Sequence, residues 1–131
     1  MIIGVGVDIV AIDRLRQAMA RQKDRIIKRL FTPAEQDFCL CHRDPAPHFA
    51  ARFAAKEALF KALHTGWAQG VTWLDVEVRR EEQQAPELVL RGETLKLSLA
   101  LGARSFHVSL SHTDTTAIAL VILDSDSASL Q

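Results

Sequence analysis

Three charged residues stand where apolar packing is the rule, and each could hold a ligand. Between His48 and His64, the residues Phe49, Phe53, Phe60 and Leu63 recur at the spacing of one helix face. Lys56 projects into that same sector, and Glu57 stands beside it, between Phe53 and Lys61. Asp8 interrupts the opening apolar stretch Met1 to Val10 in a similar way. Charges taken out of water must be paired or must bind an ion. Two readings follow: Lys56 and Glu57 pair with Asp8 or with each other, or the group holds a ligand. Glu57 and Lys61 are also spaced i,i+4, a pair that stabilises an exposed helix by only about 0.2–0.5 kcal/mol.

Other groupings offer chemistry by composition alone. Cys39-x-Cys41-His42, with His48 nearby, has metal-ligating residue types. Its compact spacing falls inside one predicted helix and lacks the paired knuckles of a zinc site, so plain thiols are the better reading. Ser111, His112 and Asp114 match a hydrolase triad in type but crowd one loop, and a triad is defined by geometry. Gly4-x-Gly6 lacks the third glycine and the βαβ unit of a dinucleotide fingerprint.

The elements that must position these residues are legible from period and punctuation. Val5, Val7 and Ile9 alternate with Gly4, Gly6 and Asp8, which predicts a strand with one closely approached face. Ala11 to about Gln22 reads as an amphipathic helix, and Asp24 to Leu30 as a second short one. Thr32-Pro33-Ala34-Glu35 combines an N-cap, a first-turn proline and a capping-box Glu, opening a helix to about His42. Asp44-Pro45-Ala46-Pro47 breaks it, and a long helix follows to His64, before Thr65-Gly66. Val71 to Arg79 and Glu87 to Arg91 read as strands around a polar turn, and Gly92 to Leu101 as a short helix closed by Gly102. Phe106, Val108 and Leu110 alternate, Ala117 to Leu123 is continuously apolar, and the two pair as a hairpin around Ser111 to Thr115. The expected class is therefore α+β, one small domain over 1–124 with helices packed on an antiparallel sheet, followed by a polar, frayed tail at 125–131.

The composition narrows the function classes. The chain has 131 residues, 16 basic and 16 acidic, so it lacks the strongly basic surface of a general nucleic-acid binder. No apolar run reaches the roughly 20 residues of a membrane span. Met1 to Val10 contains no Lys or Arg, unlike a secretory leader, and Cys39 and Cys41 are too few for a disulfide scaffold, which fits a cytoplasmic location. The charge is uneven. Ala11 to Phe31 holds seven basic residues against two acidic, leaving nine against fourteen elsewhere. On a helical projection Arg14, Arg21 and Arg25 share one sector opposite Ile12, Leu15, Met19 and Ile26. That sector is either a solvated face or a docking surface for an acidic partner.

Three stretches together carry a resemblance. Gly4-Val5-Gly6-Val7-Asp8-Ile9-Val10, then Arg52-Phe53-Ala54-Ala55-Lys56-Glu57-Ala58-Leu59-Phe60-Lys61-Ala62, then Val108-Ser109-Leu110-Ser111-His112-Thr113 resemble, in order and over nearly the whole chain, the holo-acyl-carrier-protein synthase family of 4′-phosphopantetheinyl transferases. The G-x-D strand end and the K-E-A-x-x-K helix are that family's defining pair, and the length is that of its small, trimeric bacterial branch.

The resemblance implies transfer of 4′-phosphopantetheine from coenzyme A to a serine of apo acyl carrier protein, with Mg²⁺ held by Asp8 and Glu57. Two carboxylates without His or thiolate make a hard, incomplete ligand set that suits Mg²⁺ completed by water and a diphosphate. Lys56, Lys61 and Arg52 become the cationic surroundings of the coenzyme phosphates, with His112 a further contact. Thr65-Gly66 resembles the family's G-T-G turn, with His64 in place of its first glycine, and Gln84-Ala85-Pro86 matches a G-x-P turn at Pro86 alone. Two bases stay open, a water oriented by Glu57 or His112. Arg14, Arg21 and Arg25 gain an acidic partner in the carrier protein, and homotrimers with sites between subunits are expected. The alternative is a non-catalytic α+β module that binds an acidic partner through the arginines, with Lys56 and Glu57 merely paired.

Overall fold

The computed structural model describes residues 1–64, 71–81 and 83–127. Strand β1 (Ile2–Ala11) runs into helices α1 (Ile12–Gln22), α2 (Asp24–Leu30), α3 (Pro33–Leu40) and α4 (Ala46–Leu63). The hairpin β2 (Val76–Arg79) and β3 (Glu87–Leu90) follows, then α5 (Gly92–Ala100), β4 (Ser105–His112) and β5 (Thr116–Asp124). β1, β5 and β4 form one antiparallel sheet in that order, and β2 pairs antiparallel with β3. The α+β architecture is the expected one.

Helix α4 is the centre of the molecule. It is buried along most of its circumference, with Phe49, Ala50, Ala54, Ala55, Ala58, Leu59 and Leu63 inaccessible, and it lies across one face of the sheet. That face is lined by Ala117, Ala119, Val121 and Leu123 of β5. On β1 it carries Gly4 and Gly6, and the strand sits so close to α4 that a Cβ on Gly6 would overlap the Ala58 carbonyl oxygen and one on Gly4 that of Ala62. The alternation of glycine with β-branched residues thus serves close strand–helix approach. The opposite face of the sheet leaves Val5, Val7, Ile9, Ile118 and Leu120 exposed. The continuous apolar run of β5 is therefore covered on one side only within a single chain.

Local details correct several expectations. Lys23 adopts φ 51°, which ends α1, so Arg25 belongs to α2 and does not share one continuous helix with Arg14 and Arg21. Ala46 and Pro47 already form the first turn of α4, where proline's missing N–H has no bond to make. The strand read from Val71 begins only at Val76, because Trp73–Asp75 form a 3-10 turn capped by the Thr72 hydroxyl. Ser125 and Asp126 are tied back: the Ser125 N–H donates to the Met1 carbonyl (2.8 Å), and the Met1 ammonium lies 3.0 Å from both Asp124 and Asp126. Among the described residues, no helix is long and apolar enough to cross a membrane.

Candidate functional site

Asp8 lies on the same sheet face as Gly4 and Gly6, so the close approach of β1 to α4 carries its carboxylate to the helix. Lys61 Nζ donates to Asp8 Oδ1 at 2.9 Å and to the Val7 carbonyl at 3.2 Å. The i,i+4 partner Glu57 is passed over. Glu57 instead borders, with Asp8, an open groove of about 290 Å³ whose other lining includes Arg14, Leu15, Ile26 and Phe53. Burial, and secondarily the Asp8 charge, push the Glu57 carboxyl above its usual range, while the Asp8 contact raises Lys61. Two carboxylates facing one groove, with no cluster of three or more His, Cys, Asp or Glu among the described residues, make an oxygen-only, incomplete donor set. Such a set fits a hard divalent cation that takes its remaining oxygens from water and a phosphorylated ligand.

A second polar group sits nearer the start of α4. Arg52 is only 2% exposed, with its guanidinium 4.0 Å over the Phe38 ring and Nη1 donating to the His48 carbonyl at 3.2 Å. Its Nε and Nη2 are buried without a hydrogen-bond partner among the described residues, and burial lowers its pKa. Buried donors left open in this way are rare, and the positive charge behind these two suits an anionic acceptor. Three imidazoles adjoin it. His48 stacks on His42 at 3.6 Å and meets the edge of His112 at 5.7 Å, and His42 Nδ1 donates to the Phe38 carbonyl at 2.8 Å. Desolvation first, then the His42, Arg52 and His112 charges, pull His48 down to about 4, so it is neutral near pH 7. The strand register sets His112 two strands away from β1, opposite Ala117, which itself pairs with Val10. His112 therefore joins the Arg52 group, while Asp8 and Glu57 form their own.

Lys56 departs from its expected role. Its side chain is wholly inaccessible, and Nζ donates to Glu35 Oε1 (2.6 Å) and to the carbonyls of Leu30 (2.7 Å) and Trp73 (3.2 Å). All three ammonium hydrogens are used, so none is left for a coenzyme phosphate. Glu35, which sequence reasoning saw only as a capping-box residue, caps Thr32, holds Lys56 and accepts from the Val78 N–H (2.9 Å) at once. Neither proposed pairing of Lys56, with Asp8 or with Glu57, is made.

The remaining candidates are scattered. Pro86 lines a separate open groove with Arg104 and His107, between β3 and β4. Gly66 lies outside the described residues. His64 takes the left-handed conformation (φ 59°) that closes α4, a position suited to glycine. Cys39 is buried and its thiol pushed up to about 12, chiefly by desolvation, whereas Cys41 is exposed. Arg14 and Arg21 on α1 and Arg25 on α2 make no ion pair among the described residues, whereas Arg16 is bound in a two-pronged contact to Asp44.

A model of the 4′-phosphopantetheinyl transferase superfamily matches residues 4–121. The holo-[acyl-carrier-protein] synthase of Koribacter versatilis is 46% identical over 124 residues, covering 95% of this chain and 99% of that protein. Among solved structures, a holo-(acyl-carrier-protein) synthase from Bacillus anthracis in complex with CoA (3′,5′-ADP) superposes with a TM-score of 0.78 at 32% identity, covering 96% of this chain and 99% of that one. The holo-[acyl-carrier-protein] synthase from Neisseria meningitidis gives a TM-score of 0.84 at 30% identity, covering 95% and 99%.

Proposed function

Because the chain belongs to the 4′-phosphopantetheinyl transferase superfamily, we propose that it moves 4′-phosphopantetheine from coenzyme A to a serine hydroxyl of apo acyl carrier protein, in support of fatty acid biosynthesis. The serine oxygen attacks the phosphorus that bears pantetheine. The bond from that phosphorus to the bridging oxygen breaks, and adenosine 3′,5′-bisphosphate leaves with the electron pair.

The observation that carries this reading is that Asp8, held by Lys61, borders with Glu57 a groove that Arg14 also lines. Asp8 and Glu57 would hold Mg²⁺, whose charge neutralises the diphosphate when bound. Lys61 presents a second positive pole to the same phosphates. Glu57, with its proton affinity raised, orients the water that takes the serine proton. The open Nε and Nη2 of Arg52, with His112, receive a further coenzyme phosphate, a role that suits His112 better than that of base. Arg14, Arg21 and Arg25, without an ion pair among the described residues, face the acidic carrier protein. The uncovered apolar sheet face at Val5, Val7, Ile9, Ile118 and Leu120 supports the homotrimer expected from the resemblance. A cytoplasmic location follows from the two substrates.

Incubating apo carrier protein with this chain, coenzyme A and Mg²⁺ and weighing the product by intact mass spectrometry tests the reading. One added phosphopantetheine per carrier is expected. An unchanged mass, with binding of the carrier retained, would make the chain a docking module instead.

A further inference from the structure

Lys56 and Lys61 stand five residues apart on α4 and differ in freedom. Lys56 is sealed by three acceptors, but Lys61 is more than half exposed on a flexible stem and rests on Asp8, whose carboxylate is only 15% exposed. The ammonium occupies an oxygen of one of the two carboxylates that face the groove, and a second contact, to the Val7 carbonyl, steadies it there. A divalent cation approaching Asp8 and Glu57 therefore meets a competing positive charge already seated on its ligand. Like charges at such distances repel by an amount that lowers affinity about tenfold at the high effective dielectric of a solvated groove. A diphosphate changes the balance. Its oxygens attract the cation and the ammonium alike, and Lys61, more than half exposed beside Asp8, can swing to them.

We propose that Lys61 is a built-in competitor for the cation, holding Asp8 until a diphosphate draws the ammonium away, so that divalent cation and coenzyme A bind with positive coupling. This rests on the reading of Asp8 and Glu57 as cation ligands. By linkage, the coenzyme must strengthen cation binding by the same factor that the cation strengthens coenzyme binding.

The test is direct binding of Mn²⁺, followed by electron paramagnetic resonance of the free ion, with no carrier protein and no turnover. Wild type, Lys61→Met, Lys61→Arg and Asp8→Asn are titrated with Mn²⁺ alone and with coenzyme A present. Lys61→Met is expected to bind Mn²⁺ alone about tenfold more tightly than wild type and to lose most of the enhancement by coenzyme A, while Lys61→Arg, which keeps the charge, behaves as wild type. Equal Mn²⁺ affinity of wild type and Lys61→Met without coenzyme A would overturn the proposal. Asp8→Asn separates this from the underlying reading. If it binds Mn²⁺ as wild type does, with and without coenzyme A, the cation is not held at Asp8 and the ligand assignment falls first.

Discussion

Lys56 Nζ lies 2.6 Å from Glu35 Oε1, and neither side chain reaches solvent. The pair ties α4 to the first turn of α3 and, through the Val78 N–H, to β2, one residue before Glu57 turns to the groove. Removing either partner alone leaves an uncompensated buried charge. Lys56→Met or Glu35→Leu should each destabilise the fold by about 3–5 kcal/mol, and the double variant by much less than the sum. Urea denaturation of the four proteins checks this, and additive losses would show that the two charges are independent.

The contact of β1 with α4 leaves no space for a methyl group at Gly6. Gly6→Ala must push strand and helix apart, at a cost of at least the ~1–3 kcal/mol of an overpacked core. Asp8 moves with the strand, so transfer should fall further than the loss of folded protein explains. Activity normalised to the folded fraction by circular dichroism measures it.

His48 supplies a pH dependence with a definite sign. Its pKa is about 4 in the fold against 6.5 for an ordinary histidine, lowered by burial and by the neighbouring His42, Arg52, His112 and Arg80. Between those values the unfolded chain binds a proton at residue 48 that the folded chain does not. The contribution of this residue to stability is therefore complete above pH 6.5 and declines as pH falls towards 4. His48→Phe, which keeps a ring against His42, should show a shallower loss of stability between pH 7 and pH 4.5 in urea titrations than wild type. Parallel pH profiles would contradict the assignment.

Arg14 lines the groove and Arg21 stands further along the same helix α1. Arg14→Glu with Arg21→Glu should raise the KM for carrier protein about tenfold or more and leave that for coenzyme A nearly unchanged, and added salt should weaken wild-type docking in the same direction. Steady-state kinetics with each substrate varied in turn decides it. Equal losses for both substrates would place the carrier elsewhere.

The sequence was most informative where local signals and chemistry coincide. Thr32 and Glu35 announced a capping box that the structure contains, and the glycines of β1 announced a close approach that Ala58 and Ala62 complete. The same local logic hid the partner of Lys56. A capping-box Glu is normally solvated, and nothing in the spacing of α3 says that its first turn packs over the middle of α4. The arginine sector failed at Arg25 because a projection assumes a continuous helix, and one residue with positive φ, Lys23, ends it. The imidazole stack was equally hidden. His42 follows the end of α3, His48 stands on α4 and His112 ends β4, and only tertiary packing brings their rings together near Arg52.

In the proposed reaction Asp8 and Glu57 act together, through a divalent cation, in phosphopantetheine transfer. Mg²⁺ titration of the chelator-treated protein, with holo carrier formation read by intact mass, tests it most directly for wild type, Asp8→Ala and Glu57→Ala. The wild type should be inactive without Mg²⁺ and recover as it is added. Each variant should stay folded and fall by roughly 10²–10³-fold or more at every Mg²⁺ concentration. Normal transfer by either variant, or by the wild type without metal, would show that the two carboxylates do not act through a cation.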